Sequence, residues 1–431
     1  MNPPEPSRPA APRALAATLR RGAAALALVL AALPAAFQGA GSTVASPALR
    51  TLAPAAPPGD AEARLAGVQR LVESARLTEA MAQAEQLVAD YPNFALARLA
   101  WANLLAIRAG GGAPLGDAAS AARDAGRERL KELQSEARLR ARAWADRPAP
   151  GAVPAAFVQL APGVRHAIAV DTARSRLYVF ENTRQGPRLV ADYYVSIGRE
   201  GTSKAVEGDL RTPLGVYHVT SRLDPRRLDD LYGSGALPIN YPSAWDSLQG
   251  RTGSGIWVHG TPGEQFARAP LATDGCIAVP NPDMVRLAAL AEPGRTPVLI
   301  GTDLAWTPAR GVAAAPGPAG FQRDFQAWHT AKGAGELPRY MGFYAADFRP
   351  AGRQSRPWRE ALEAEARALD GRGVEIKDVS VFHWRDAVAG ADVVLAHFGE
   401  VPAGRRAGQT KRQYWVKRGA GWQIVAEEVA R

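Results

Sequence analysis

Ile256-Trp257-Val258-His259-Gly260 and Thr273-Asp274-Gly275-Cys276-Ile277 are the two stretches on which the reading of this chain turns. Each couples a short apolar run of β type to one reactive side chain, and the two side chains stand 17 positions apart. Cys276 is the only cysteine in 431 residues, so it has no internal disulfide partner. A thiol attacks as the thiolate, which is scarce at neutral pH because a free cysteine titrates near 8.5. An imidazole within hydrogen-bond reach solves that problem by taking the proton, which casts Cys276 as nucleophile and His259 as base. Gly275 lets the backbone turn tightly before the nucleophile. The amides of Gly275 and Cys276 then face a developing oxyanion, an interaction worth about 3 kcal/mol.

A second block lies upstream, Lys204-Ala-Val-Glu-Gly208-Asp209-Leu-Arg211-Thr212-Pro213-Leu-Gly215-Val-Tyr217. Together the two blocks resemble the signatures of the YkuD-type L,D-transpeptidases: Gly-Asp-x-x-Thr-Pro-x-Gly-x-Tyr, then His-Gly, then Ser/Thr-x-Gly-Cys-hydrophobic. This chain departs from the family pattern twice. Asp274 stands where the family usually has His, which leaves His259 without a rival base in the motif. Ala278 stands where Arg or Asn is frequent, so the contact made by that side chain does not carry over. Thr-x-Gly-Cys-Ile-Ala is closer to a branch containing the peptidoglycan L,D-carboxypeptidases of helical bacteria and enzymes acting on wall-linked lipoprotein.

The resemblance implies a substrate and a mechanism. Cys276 attacks the carbonyl at the L-centre of the third residue of a peptidoglycan stem tetrapeptide, and His259 passes the thiol proton to the departing D-alanine. The thioester then goes to an amine, giving transpeptidation, or to water, giving carboxypeptidation. A third reading is a non-catalytic wall-binding or assembly protein, against which the intact His259 and Cys276 argue. No cofactor or metal is implied. The remaining histidines (His166, His218, His329, His383, His397) show no metal-ligand spacing and read as structural. Around the pair, Lys204, Arg211, Thr212, Gly260, Thr273 and Asp274 are candidates for binding the stem peptide, the two cations through its carboxylates. Trp257, Tyr241 and Trp245 either line the cleft or fill the core.

Working outward, alternating runs at His166–Asp171, Arg176–Phe180, Val190–Ile197, Val216–Thr220 and Pro297–Ile300 predict a mainly-β catalytic domain over 164–302. Before it, 46–150 carries helical periodicity (Leu65, Val68, Leu71, Val72; Ala80, Ala84, Leu87, Val88) with a break at Tyr91-Pro92-Asn93. This helical region is weakly similar to tetratricopeptide units, and a plain helical hairpin for packing or dimerisation is the favoured reading. After the catalytic domain, 303–319 reads as an Ala/Pro/Gly linker. Over 320–431 a helix, a second helix and four alternating strands follow. The run Tyr414-Trp-Val-Lys-Arg-Gly-Ala-Gly-Trp422 resembles the cone-shaped, NTF2-like (nuclear transport factor 2) α+β domain found in that branch. The expected fold class is therefore multidomain, α then mainly β then α+β.

Residues 1–45 read as a signal peptide or an uncleaved N-terminal anchor. Arg8, Arg13, Arg20 and Arg21 precede or open the uncharged stretch Gly22–Phe37, and small residues follow. Export to the periplasm or cell envelope is the expectation. The net charge is +10, but 52 basic residues are interspersed with 42 acidic ones. No basic run interleaved with aromatics marks a nucleic-acid partner. The expected partners are stem peptides, with a wall-linked protein or a second copy bound through the helical region.

Overall fold

The structure is a computed structural model that describes residues 60–109, 120–309, 317–351, 357–369 and 371–430. The expected signal or anchor at 1–45 lies outside the described residues, as do 46–59 of the helical region and 310–316 of the linker.

The periodic apolar residues of the N-terminal region form helices α1 (Asp60–Glu73), α2 (Leu77–Asp90), α3 (Ala95–Arg108) and α4 (Ser120–Ala145). Ala80, Ala84 and Leu87 of α2 are buried against Leu96, Ala97 and Leu104 of α3 and neighbouring side chains. Tyr91–Phe94 separates α2 from α3, where Pro92 cannot donate a helical hydrogen bond. The layer does not stand apart. Phe266 of the catalytic domain is buried in the same cluster as Leu65, Leu87, Phe94 and Leu96.

The catalytic domain is mainly β, as the alternation predicts. Its largest sheet has five strands in the order 186–194, 176–183, 166–171, 297–301, 215–218. The two central strands run parallel, pairing Val298 with Ile168 and Ile300 with Val170. These strands are buried on both faces: Ile168, Val170, Leu177, Val179 and Val298 fill one core, and Ala167, Ala169, Tyr178 and Phe180 face another. A smaller sheet, 236–238 with 257–259 with 277–278, packs on the first core through Leu237, Val258 and Ile277. That smaller sheet carries His259, and Cys276 directly precedes its strand 277–278.

The C-terminal unit is an α+β cone. Helices Phe321–Gly333, Leu337–Met341 and Trp358–Leu369 lie against a sheet of six strands, in the order 344–350, 421–429, 409–418, 391–402, 374–386, 157–159. Trp328, Trp415, Phe398 and Ile424 fill the space between helices and sheet. The four expected strands are present. The helix at 337–341 and the edge strand Tyr344–Pro350, paired parallel to the last strand, escape the sequence reading because both are short and the second sits among charged residues.

Two connections blur the expected domain edges. Phe157–Gln159, preceding the catalytic domain, supplies the sixth strand of the C-terminal sheet. Trp306–Pro308, expected in the linker, pairs antiparallel with Ala152–Pro154. Only long-range pairing makes these strands, so local periodicity does not announce them. Trp245 donates to Asp386 across the boundary (2.8 Å), and His218 and His397 meet there at 3.0 Å.

Candidate active site

Strands Trp257–His259 and Ile277–Ala278 run parallel, with Val258 opposite Ile277 and His259 opposite Ala278. Side chains alternate between the faces of a strand. Val258 and Ile277 therefore point together into the core, while Trp257, His259 and Ala278 share the other face, and Cys276 stands in the bend directly before the second strand. From that bend the Cys276 sulfur is reached by the backbone N–H of Trp257, on the strand that carries His259.

His259 is almost fully buried. Its Nδ1 lies 2.7 Å from the carbonyl oxygen of Gly260, and a carbonyl only accepts, so Nδ1 carries the proton. The tautomer leaves Nε2 with a free lone pair, the form a base requires. Tyr232 meets the imidazole edge-on, 5.2 Å between centroids, and itself lies 4.8 Å from Trp257. Burial pushes His259 down to about 4; its hydrogen bond to Gly260 opposes that shift and the nearby Arg268 charge adds to it. The imidazole is thus neutral at pH 7.

Gly260 is held where no side chain fits. A Cβ there would stand 2.2 Å from Asn281 Oδ1 and 2.8 Å from the Ser234 nitrogen. Asn281 accepts from Ser234 N (2.9 Å) and Thr261 N (3.1 Å) and donates to Thr261 O (2.7 Å). One amide side chain therefore fixes the turn that orients the histidine.

Cys276 is a free, half-buried thiol whose Sγ lies 3.4 Å from Gly255 O. Burial raises its pKa above the ordinary range; the Trp257 backbone N–H pulls it back, Asp274 pushes it up, and Arg268 and Lys204 pull it down. The turn before it depends on Gly275, whose φ of +120° is a region L side chains rarely adopt and whose Cβ would meet Arg211 O at 2.7 Å. Thr212 is buried beneath this turn. Its hydroxyl donates to Gly275 O (3.0 Å) and accepts from Gly198 N (2.9 Å).

A neutral thiol in a tight glycine bend thus stands at the start of the two-strand ladder that carries the neutral imidazole. Residues 165–300, which contain this ladder and the block at 204–217, match the family described as YkuD, the L,D-transpeptidase catalytic domain. This is a YkuD domain. Members of that family are cysteine-dependent enzymes that modify peptidoglycan. Among solved structures, Bd1075 of Bdellovibrio bacteriovorus is 23% identical, covers 65% of this chain and 98% of its own, with a TM-score of 0.50. The helical cell shape determining protein Pgp2 of Campylobacter jejuni is 21% identical, covers 63% of this chain and 94% of its own, with a TM-score of 0.51. At these identities the likeness is one of fold. An NTF2-like protein with a cystatin-like fold from Novosphingobium aromaticivorans covers 25% of this chain and 81% of its own, at 16% identity and a TM-score of 0.19. No curated protein matches the chain.

The remaining residues expected at the site of the YkuD domain divide into three groups. Thr212, Gly260 and Thr273 shape the backbone around the pair, Thr273 by donating to Cys276 O (2.7 Å). Trp257 is half-buried on the same strand face as His259. The rest are placed otherwise than expected. Gly275 N–H, expected at an oxyanion, donates to Thr273 Oγ1 (3.2 Å). Lys204, expected to meet substrate carboxylates, is buried and bound to Asp209 (2.8 Å) and Val206 O (3.1 Å). Asp209, desolvated but bonded to Lys204 and to the backbone N–H groups of Ala205, Val206 and Arg211, is drawn down to about 2. Lys204 is therefore the staple of its own turn. Arg211 donates to Thr202 O (3.1 Å) and exposed Asp274 pairs with Arg199, whereas Tyr241 takes the core alternative of its two readings, with its hydroxyl on Thr252 O (3.1 Å). Tyr232, Asn281 and Arg268 were not legible in the sequence, since each lies outside both motif blocks and reaches the site only through loops. Among the described residues no group of three or more His, Cys, Asp or Glu is placed to hold a metal.

Proposed function

We propose that this chain is an exported peptidoglycan L,D-transpeptidase that works through a thioester on Cys276. One observation carries the reading: the chain's only thiol stands in the bend that opens the strand paired with that of His259, a buried imidazole with an unprotonated Nε2, in a domain of the YkuD family. As Sγ adds to the carbonyl carbon of the third stem residue, its proton moves to His259 Nε2. The negative charge on the carbonyl oxygen is met by the Cys276 amide, since Gly275 N–H is already engaged. The Trp257 N–H directed at the sulfur steadies the thiolate as it forms. Collapse breaks the carbon–nitrogen bond, and His259 returns the proton to the departing D-alanine amine. An acceptor amine then attacks the thioester, delivering its proton to His259 and expelling the Cys276 thiolate. Water in place of the amine gives the carboxypeptidase reaction.

Incubating the full chain with purified tetrapeptide muropeptides tests this. Cross-linked dimers together with free D-alanine support transpeptidation. Tripeptides with free D-alanine and no dimers replace it with carboxypeptidation. No turnover, with Cys276 resistant to alkylation, supports a wall-binding scaffold instead.

A further inference from the structure

Between the two reactive strands runs the segment 261–270, and its position is fixed from two sides. On the catalytic side, the Ser196 and Ala278 backbones exchange hydrogen bonds (2.9 Å each), and the Ser196 hydroxyl donates to Ala269 O. Ile197 N donates to Pro270 O (2.9 Å). The segment therefore passes beside Ala278, two residues after the nucleophile, and delivers Arg268 to that end of the site. Arg268 is half-buried, and its charge is felt by both Cys276 and His259.

No carboxylate of the described residues comes within ion-pair distance of the Arg268 guanidinium. Asp274, the acid whose charge reaches it, is paired with Arg199. The buried arginines Arg176 and Arg140 are matched with Glu62, and Arg251 with Asp246 and Asp386, while half-buried Arg211 is met by the Thr202 carbonyl. A partly desolvated guanidinium without a counter-ion is stabilised by a carboxylate ligand, which it grips through two parallel N–H···O bonds. The residue that leaves in the proposed reaction carries such a group, one residue from the bond that breaks.

On the other side the helical layer holds the segment. Asn93, in the turn between α2 and α3, donates to Gly263 O (3.1 Å) and accepts from Phe266 N (3.3 Å). The Phe266 ring lies against Phe94 (4.2 Å between centroids) and edge-on to Tyr91 (5.5 Å). From α4, the Arg140 guanidinium stacks on Tyr194 at 3.6 Å, and the Tyr194 hydroxyl donates to Arg268 O (2.8 Å).

We propose that Arg268 binds the free C-terminal carboxylate of the departing residue, and that the helical layer acts as its positioning element. The site then selects peptides that end one residue beyond the scissile bond. This rests on the stem-peptide reading above.

The experiment compares a tetrapeptide muropeptide bearing a free C-terminal acid with the same molecule as its C-terminal amide, using the full-length chain. The wild type is expected to favour the acid by at least tenfold in kcat/KM, Arg268→Gln to lose that preference, and Arg268→Lys to regain part of it. Asn93→Ala, distant from the reacting atoms, is expected to weaken the preference through KM. Binding of the two peptides to the Cys276→Ala variant gives a readout independent of turnover: adding Arg268→Gln is expected to weaken acid binding tenfold and bring it level with the amide. Turnover of both peptides at equal rates, or an unchanged acid-to-amide ratio in Arg268→Gln, overturns the assignment and leaves the cysteine mechanism standing. Binding of neither peptide overturns both.

Discussion

At the scale of single residues, Cys276 and His259 rest as a neutral pair and not as a thiolate–imidazolium pair. Burial drives the thiol up and the imidazole down to about 4, so both are uncharged across the neutral range. The sign of the pH dependence follows. His259 can accept a proton only while unprotonated, so activity is kept above its folded pKa and lost as pH falls through about 4, not through the ordinary 6.5. Alkylation of Cys276 by iodoacetamide is expected to be slow at pH 7 and to rise through pH 9, and His259→Ala to lower kcat by roughly 100-fold or more. A full thiolate absorbance at pH 7 would contradict this picture. Both positions were visible in the sequence as candidates, because a lone cysteine in a Gly-Cys turn and an upstream His-Gly stand out by type and spacing. Their neutrality was not, since it comes from burial that no local pattern reports.

At the scale of elements, the turn Thr273–Cys276 decides where the thiol stands. Gly275 adopts a positive φ while its backbone passes Arg211 O, and Thr212 and Thr273 bind it from below and within. Gly275→Ala therefore meets both a strained backbone and a steric clash with a carbonyl oxygen, at a cost on the order of 1–3 kcal/mol from the strain alone. The expected result is a folded protein with lowered thermal stability and activity reduced at least 100-fold, measured by calorimetry and the muropeptide assay. Wild-type activity in that variant would show that the turn does not set the nucleophile. Lys204 gives the opposite lesson at this scale. Its motif position suggested a ligand for carboxylates, yet Asp209, five residues on, captures it and closes the turn.

At the scale of the whole molecule, the three parts share cores and charges. Glu62 of α1 binds Arg176 of the catalytic sheet (2.7 Å) and Arg140 of α4 (3.0 Å), while Arg176 also binds Asp192 through Nε (2.6 Å) and Arg140 binds Glu136 (2.6 Å). All five side chains are buried. Burial pushes Glu62 up, but Arg176 and Arg140 outweigh it and hold the carboxyl below its usual range. Removing one member strands buried charge, so Glu62→Ala is expected to destabilise the chain by about 3–5 kcal/mol. Urea unfolding measures that loss, and proteolysis of α1–α4 should accelerate with it; an unchanged midpoint would mean the helical layer is held by apolar contacts alone. The sequence by itself determined what periodicity and residue type can encode: a helical region, a mainly-β domain with a cysteine–histidine pair, and an α+β end with four strands. Only the tertiary structure decided that Phe157–Gln159 completes a sheet more than 200 residues away, that Lys204 is a staple, and that α1–α4 grip the loop bearing Arg268. Those outcomes depend on which distant groups meet and how much water they lose on meeting, quantities that are set by the closed fold and have no expression in local sequence.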